Sequence, residues 1–330
     1  MKNKNEYFSL FPNYIPIKGK HKCILADINN GEYFKIPELV FEVLNINIIN
    51  SYNLNQLNRH FNNKYEDGIK GYFDYFVKNK IGFYLKTNWQ PAKISYEYKS
   101  PFKATNAIIE VENLNKYCIT TLIKDLINLG CHEIEIRIIN YNTLISILDI
   151  LKKFQCDMVR SFYLNYLQEN GKENLKIEKD IEKEIISNLK INQIKIFNSN
   201  NNTNTNNNKI LHIAQSFFED YGQTGLIINP SYFYESQNFN ASLNQKIVVD
   251  KEGNIKNYLN HKRTFGNVNN IIISDILFNS DFTKIWHISN DKIEICKECQ
   301  YRYFCLNFSE ILKKNNKYFK INYCKNIFLN

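Results

Sequence analysis

Three cysteines lie close together near the C-terminus, in the segment ICKECQYRYFC. Cys296 and Cys299 are separated by two residues, and Cys305 follows after five more. The short first spacing lets one tight turn direct two thiolates at a single ion, and a third thiolate can close the same face. Cys324 is the first candidate for a fourth ligand, and His287 is a weaker one. The segment therefore predicts a metal site.

The spacing leaves the metal open, because structural zinc sites and [4Fe–4S] clusters both use such sets of cysteines. The polar residues KECQYR inside the segment are unlike the usual flanks of a buried apolar cysteine pair. The other four cysteines lie one by one on predicted strands or helices. For these we expect the role of a small buried hydrophobic side chain, and they are Cys23, Cys118, Cys131 and Cys156.

The composition indicates a globular protein with room for two or three domains. The chain has 330 residues, of which 44% are hydrophobic and 14% aromatic. Lys and Arg number 42 against 33 Asp and Glu, which gives a net charge of +9. This excess is spread along the chain without a run of five basic residues, so we do not expect nucleic acid as the partner.

No membrane-spanning or secretory segment is predicted. No stretch approaches the roughly 20 apolar residues that cross a bilayer, and the N-terminal MKNKNEYFSLFPNYIP lacks the apolar core of a signal peptide. We therefore expect a cytoplasmic protein without a membrane partner. Cysteines stay reduced in that compartment, which favours metal ligation over disulfides for the clustered ones.

The elements that must position these residues begin with a compact N-terminal series. KCILADI and EYFKI are predicted strands, joined by the turn signal Asn29-Asn30-Gly31. A helix is predicted from Pro37, two more helices follow at apolar helical spacing, and IGFYLKT is a closing strand. This order suggests a small winged-helix-like unit over residues 1–90.

The middle of the chain alternates between strand and helix after a predicted linker at residues 91–105. AIIEVE, EIEIRII, SFYLNYL and NQIKIF read as strands, with helices between them and one near residues 177–190. Repeated units of this length predict a parallel sheet, either open or part of a barrel. Glu135 and Arg137 alternate on one strand, where we favour a solvated edge or an internal ion pair over a binding cleft. The Asn/Thr tract at 198–208 is predicted to be a flexible loop.

Taken with its flank WHISNDKIE, the cysteine segment resembles the SPASM region of radical-SAM-type peptide maturases, in the branch that accompanies an ATP-grasp ligase (grasp-with-spasm systems). The stretches YFSLFPNYIPIKGKHKCILADINNGEYFKIP, LGCHEIEIRI and GNIKNYLNHKRTFGN are also similar to that family, so the resemblance spans most of the chain. It implies maturation of a ribosomally synthesised precursor peptide and an auxiliary iron–sulfur cluster on the C-terminal cysteines. It also implies a radical-SAM-like partial (β/α) barrel and a PqqD-like N-terminal module, a type that binds peptides by strand addition.

The chain departs from this family at the positions that generate radicals. No C-x3-C-x2-C motif occurs, and the segment NLNKYCITT directly after AIIEVE contains one cysteine, Cys118. One thiolate cannot hold the cluster that binds S-adenosylmethionine, so cleavage of this cofactor is not expected. Tyr258 and the residues after Cys305 replace further family cysteines. The remaining four, with Cys324 included, suffice for one [4Fe–4S] cluster or one zinc ion.

These inferences combine into a three-part α/β expectation. Residues 1–90 form a winged-helix-like module that recognises the leader peptide, 104–245 form a degenerate partial (β/α) barrel, and 246–330 form a small Cys-rich, SPASM-like subdomain. The leading hypothesis is precursor-peptide maturation with an ATP-grasp ligase. Two alternatives stay open: a redox maturase that transfers electrons through one cluster, and a peptide-binding scaffold without a functional metal. Whether the chain is itself catalytic stays open.

Overall fold

The computed structural model describes residues 6–88, 97–154, 160–168, 181, 190–198, 209–214 and 225–321. Cys156, Cys324, most of the predicted helix near 177–190 and most of the Asn/Thr tract lie outside the described residues. The N-terminal elements are β1 Tyr7–Leu10, β2 Tyr14–Lys18, β3 Cys23–Asp27, β4 Glu32–Ile36, α1 Glu38–Asn50, α2 Leu54–His60, α3 Glu66–Lys78 and β5 Gly82–Leu85.

The predicted hairpin is confirmed as the antiparallel pair β3–β4. Gly31 adopts a φ of 74°, which glycine accepts without steric cost, and its N–H donates to the Asp27 carbonyl at 3.0 Å. The Asp27 carboxylate accepts hydrogen bonds from the backbone N–H groups of Asn29 and Asn30 and from the Asn13 side chain. Burial alone would raise the pKa of Asp27, but these bonds outweigh it and the pKa is lowered.

The sheet β2–β3–β4 is covered on both faces, and its central strand β3 is buried at every position. Leu25 packs on one face against the helices α1–α3, in a core that also contains stacked Phe8 and Phe73 with ring centroids 4.0 Å apart. Ile24 and Ala26 point to the opposite face, where a separate apolar cluster begins. All the predicted N-terminal elements are present; their assignment to the winged-helix class stays a prediction.

In the described residues, the second part of the chain forms a seven-stranded sheet with two helices from the predicted alternation. Its elements, together with the two that follow β10, are β6 Asn106–Val111, α4 Ile119–Asn128, β7 Glu133–Ile138, α5 Tyr141–Lys152, β8 Ser161–Leu167, β9 Ile191–Asn198, β10 Ile210–Ala214, β11 Gly225–Leu226, α6 Pro230–Ser236, β12 Lys246–Val249 and β13 Ile255–Lys256. The sheet order is β10-β9-β8-β7-β6-β12-β13.

Every pair in this sheet is parallel except β12–β13. Strands β6 to β10 follow one another in chain order, and β12 lies on the far side of β6, with Lys246 opposite Asn106. The structure thus confirms an α/β fold with a mostly parallel central sheet, and the neighbour order agrees with a partial (β/α) arrangement. β12 and β13, from the range predicted as the Cys-rich subdomain, are strands of this sheet.

The two faces of the central sheet differ in polarity. On one face, alternate residues of β6–β9 and β12 pack with α4 and α5 into the largest apolar core, which includes Ile109, Ile136 and Leu164. On the other face, Glu110, Arg137 and Asn165 stand at one level across three strands. Arg137 Nη1 lies 3.7 Å from Glu135 Oε1, so of the two favoured alternatives the structure shows the ion pair.

The C-terminal part contains short elements and long connections. Its elements are α7 Ile273–Ile276, α8 Ser280–Thr283, β14 Cys305–Leu306, β15 Ile311–Lys314 and β16 Lys317–Lys320. β14 pairs with β11, so that Cys305 lies opposite Leu226. Phe304, just before β14, is fully buried and stacks on Phe233 of α6, with ring centroids 5.7 Å apart. None of the helices in the described part of the chain combines the length and apolar character needed to cross a bilayer.

Candidate functional site: an open strand edge beside the cysteine turn

Strand β4 forms one edge of the three-stranded sheet and pairs only with β3 among the described residues. Its first four residues are exposed, and they include two aromatic side chains, Tyr33 at 37% and Phe34 at 42% of full exposure. An edge strand of this kind presents backbone N–H and C=O groups to which an extended chain can pair. β4 therefore offers both backbone and apolar contacts to a peptide.

The opposite edge, β2, is protected against such pairing. Pro16 lies in the middle of β2 and has no N–H to donate. Lys18 at its end is held by Glu38 of α1 at 2.8 Å and also contacts Glu42, and these two carboxylates raise the pKa of Lys18. The two edges of one sheet thus differ: β2 is blunted by its sequence, whereas β4 is open.

A cavity of about 280 Å³ lies at the end of β4. It is lined by the turn at residues 19–23, which joins β2 to β3, and by residues 35–38, where β4 leads into α1. Among the described residues, the lining carries the cations Lys20, Lys22 and Lys35, together with His21, and one carboxylate, that of Glu38. The cavity is therefore a basic pocket continuous with the open edge.

The cysteine segment forms a tight turn, as its spacing predicts. Cys296–Glu298 is a 3-10 turn, closed by a hydrogen bond from the Cys299 N–H to the Cys296 carbonyl at 2.9 Å. The backbone N–H of Tyr301 donates to Cys299 Sγ at 3.4 Å, a bond that stabilises a thiolate. Ile295 has a φ of 70°, an uncommon conformation for a β-branched residue, and it sets the direction of the chain into Cys296.

The predicted ligands have the chemistry of a metal site, but Cys296, Cys299 and Cys305, the three that are described, are not arranged as one metal-binding group. Cys296 and Cys299 share the turn and are half-buried, whereas Cys305 is buried at the start of β14. Over the described residues, no three His, Cys, Asp or Glu side chains form a group suited to a metal ion. Cys324 lies outside them, so the four-cysteine set stays a prediction. The weaker candidate His287 contacts the Phe239 ring, with centroids 5.4 Å apart.

The cysteine segment packs directly on the three-stranded sheet. Arg302 Nη1 donates to the Lys18 carbonyl at 2.8 Å and to the Cys299 carbonyl at 2.9 Å, so one guanidinium joins β2 to the turn. The Lys20 N–H donates to the Glu298 carbonyl at 2.7 Å. The turn therefore contacts residues 18–20, of which Gly19 and Lys20 also line the basic pocket.

Tyr33 of β4 reaches the same segment through its ring. It meets the Tyr301 ring edge to face, with centroids 5.2 Å apart. Tyr33 and Lys35 lie on the sheet face that the cysteine segment covers, because they are opposite Ala26 and Ile24 of β3. A peptide along β4 would thus pass next to Tyr301.

The four isolated cysteines have different outcomes. Cys23 and Cys131 are buried, as predicted. The prediction for Cys118 is wrong, because this residue is the exposed N-cap of α4. The Thr121 hydroxyl donates to its sulfur at 3.2 Å and is the main cause of the lowered pKa of the Cys118 thiol. Cys156 lies outside the described residues.

Sequence reasoning missed the basic pocket. Its signal was present in KGKHK at residues 18–22, which places four basic side chains beside a strand. Lys35 comes from EYFKI, however, and its approach to that turn depends on the pairing of β3 with β4. Only the folded sheet shows that the two groups of cations line one cavity.

Comparisons with known proteins add one weak structural likeness. No family model matches the sequence, and no curated protein matches it. Among solved structures, the chain is similar to Streptococcus suis SuiB bound to precursor peptide SuiA, with 10% sequence identity and a TM-score of 0.32 over 90% of this chain and 94% of that one. A likeness at this level supports no conclusion about site or function.

Proposed function

We propose that this protein binds a ribosomally synthesised precursor peptide as an added strand along β4 and takes part in its maturation with an ATP-grasp ligase. One observation carries the proposal: β4 is an exposed edge with two aromatic side chains, while the other edge of the same sheet is blunted by Pro16. Strand addition to an exposed sheet edge is a common mode of peptide recognition, in which main-chain hydrogen bonds give affinity and pockets give specificity.

The sequence supports separate roles for this chain and for the ATP-grasp ligase. The resemblance to grasp-with-spasm maturases supplies the class of partner, and the missing C-x3-C-x2-C motif argues against S-adenosylmethionine cleavage by this chain. The ATP-grasp ligase would then form the bond. This chain would hold the leader segment of the precursor and present the rest of the peptide.

A [4Fe–4S] cluster, or a zinc ion in its place, would be held by the cysteine set Cys296, Cys299, Cys305 and Cys324. Zinc supplies rigidity, and an iron–sulfur cluster supplies rigidity and one-electron transfer. The turn at 296–299 would direct two thiolates to one point, and the Tyr301 N–H would stabilise the charge of Cys299. We assign this site a mainly structural role.

Strand addition is tested with the leader segment of the precursor that the proposal expects among the neighbouring genes. Leader peptides carrying one backbone N-methyl group each should lose affinity at alternate positions, because only every second N–H of an added strand faces β4. Fluorescence anisotropy with the full chain measures the affinities. Hydrogen exchange should slow at residues 32–36 when the unmodified leader binds. Uniform tolerance of N-methylation would contradict the proposal.

The metal part is tested on protein purified without oxygen. Iron or zinc should be present in the wild type and lost in the double variant Cys296→Ser/Cys299→Ser, which should also lose on the order of 10 kcal/mol of local folding free energy. Cys118→Ser is the matched control, because it replaces an exposed cysteine far from the turn in sequence. Absorption near 400 nm that reductant bleaches would favour the redox alternative. A wild-type protein without metal would favour the scaffold.

The partnership is tested by co-purification of the full chain with the ATP-grasp enzyme that the proposal expects among the neighbouring genes, in the presence and absence of the precursor. We expect the complex to form with the precursor present. Product formation by the ligase alone, at an unchanged rate without this chain, would contradict the proposed role.

A further inference from the structure

We propose that the peptide bound along β4 is acidic, with an Asp or Glu side chain that enters the basic pocket at the end of this strand. The proposal rests on strand addition at β4 and adds the chemical class of the substrate. The pocket volume of about 280 Å³ is enough to hold a carboxylate side chain with ordered water.

The charge of the pocket is only partly balanced by the protein. The single lining carboxylate, Glu38, is already engaged by Lys18 at 2.8 Å. Lys20 lies 3.6 Å from Glu298, an exposed pair that water screens. In the part of the chain that the structure describes, neither Lys22 nor Lys35 has a carboxylate within 4.0 Å. An anionic ligand would therefore complete the pocket.

The position of the pocket predicts where the acidic residue falls in the peptide. Lys35 and Tyr33 lie on one face of β4, because alternate residues of a strand share a face. A bound strand would place one side chain over Tyr33 and the next on that face, about 7 Å away, beside Lys35. Phe34 lies on the other face and would contact the intervening side chain. The expected motif is apolar-x-acidic or its reverse.

The charge pattern favours a peptide over a nucleic acid. The pocket cations lie on the β2–β3 turn and at the end of β4, and β4 itself presents the exposed aromatic rings of Tyr33 and Phe34, with the Tyr301 ring against Tyr33. A nucleic-acid site would continue the positive charge along the groove to follow successive phosphates. One acidic side chain next to apolar ones fits this surface.

The test is a selection of displayed random peptides, each about ten residues long, on the full chain. The wild type should enrich peptides with an Asp or Glu two residues from an apolar or aromatic residue. The double variant Lys22→Gln/Lys35→Gln should enrich apolar peptides without the acidic residue. The matched control Lys78→Gln/Lys124→Gln removes the same charge from exposed positions on α3 and α4 and should select as the wild type does.

A labelled peptide from the selection and its Glu→Gln counterpart then give the size of the effect by anisotropy. A charge-assisted hydrogen bond in a pocket changes affinity by about tenfold or more, and we expect this ratio for the wild type and a ratio near one for Lys22→Gln/Lys35→Gln. The wild-type ratio should fall between about 50 mM and about 300 mM salt.

Each outcome decides one question. Enriched peptides without acidic residues would overturn the acidic specificity and leave strand addition standing. Acidic enrichment that persists in Lys22→Gln/Lys35→Gln would overturn the assignment to this pocket. Failure of the wild type to enrich any peptide would overturn the proposed function itself.

Discussion

The two faces of the β2–β3–β4 sheet are buried by different parts of the chain. The face of Leu25 is covered by α1–α3 and by Phe8, all within the first ninety residues. The face of Ile24 and Ala26 is covered by Phe233 and Phe304, which lie more than two hundred residues later. The first face is therefore packed by local parts of the chain, whereas the second joins the sheet to the cysteine segment.

This difference bears on the proposed binding of a peptide along β4. The face covered by the helices stabilises the N-terminal sheet locally, and β4 is the open edge of this sheet. The other face brings Tyr301 and Arg302 beside that edge, so the proposed peptide-binding edge and the cysteine turn are parts of one packed region. The predictions below separate the two faces, beginning with the largest expected effect.

Removal of a large buried ring should destabilise the protein on either face of the sheet. Only the removal on the second face should also increase local opening of the cysteine segment. Phe8→Ala and Phe304→Ala each remove a fully buried side chain, at a cost of about 3–5 kcal/mol in the free energy of unfolding. Urea titration measures both costs. Native-state hydrogen exchange should accelerate at residues 299–306 in Phe304→Ala alone. Equal acceleration there in Phe8→Ala would show that the two faces form one cooperative unit.

The second face should also be sensitive to pH, through Glu235 of α6. Burial raises the pKa of Glu235 to about 7, and the hydrogen bond from Asn244 and the charge of Lys246 oppose this only in part. The folded state therefore holds this proton more tightly than the unfolded chain does. The associated stability is complete below the unfolded pKa of 4.5 and is lost as the pH rises to about 7.

Glu235→Gln should remove this dependence. Between about pH 4.5 and 7 the wild type should lose about 2–3 kcal/mol through this group, and the variant should be the more stable protein at about pH 8. Urea titrations across this range measure the difference. Exposed Glu97 provides the control variant Glu97→Gln, which should keep the wild-type slope. A Glu235→Gln profile parallel to that of the wild type would contradict the buried-carboxyl account.

The sequence predicted the helix face much better than the second face. Hairpin chemistry at Gly31 and the helix start at Pro37 act over a few residues, so a local pattern contains them. The packing of Phe304 on this sheet, and the pairing of β12 with β6, join residues far apart in the chain. No local periodicity encodes such contacts, because they depend on which surfaces remain uncovered after the local elements form.

The candidate site was likewise predicted in its local features and not in its long-range ones. The spacing of Cys296 and Cys299 predicted their shared turn, because two intervening residues leave the chain little other choice. The same reasoning failed for Cys118, since an isolated cysteine at a helix start can face solvent as easily as the core. The open edge of β4 could not be predicted from the local sequence either, because the exposure of a strand edge depends on which other strands pair with it.

The junction between the sheet and the cysteine turn should be sensitive to one methyl group. A Cβ on Gly19 would lie 2.6 Å from the Gln300 backbone nitrogen, so the two segments must move apart. Gly19→Ala should cost about 1–3 kcal/mol of stability. Gly71→Ala on α3 meets no atom within 4 Å and should instead add about 0.5–1 kcal/mol. Urea midpoints for the two variants that shift in the same direction would contradict the close contact at Gly19.

The smallest expected effect separates the contacts that stabilise this junction from the side-chain charges that line the pocket. The side chains of Glu298 and Lys20 lie 3.6 Å apart and are 50% and 63% exposed, so Glu298→Gln should change the free energy of unfolding by less than about 0.5 kcal/mol. The backbone bond from Lys20 to Glu298 remains in that variant.

In Glu298→Gln the Lys20 side chain would nevertheless lose its ion-pair partner, so an acidic peptide should bind about two to five times more tightly at low salt. Anisotropy at two salt concentrations measures this gain, and Glu294→Gln is the control from the same segment, with its carboxylate paired to Lys297 instead. A large loss of stability in Glu298→Gln would mean that the ion pair holds the junction, and unchanged affinity would mean that Lys20 does not contribute to the pocket charge.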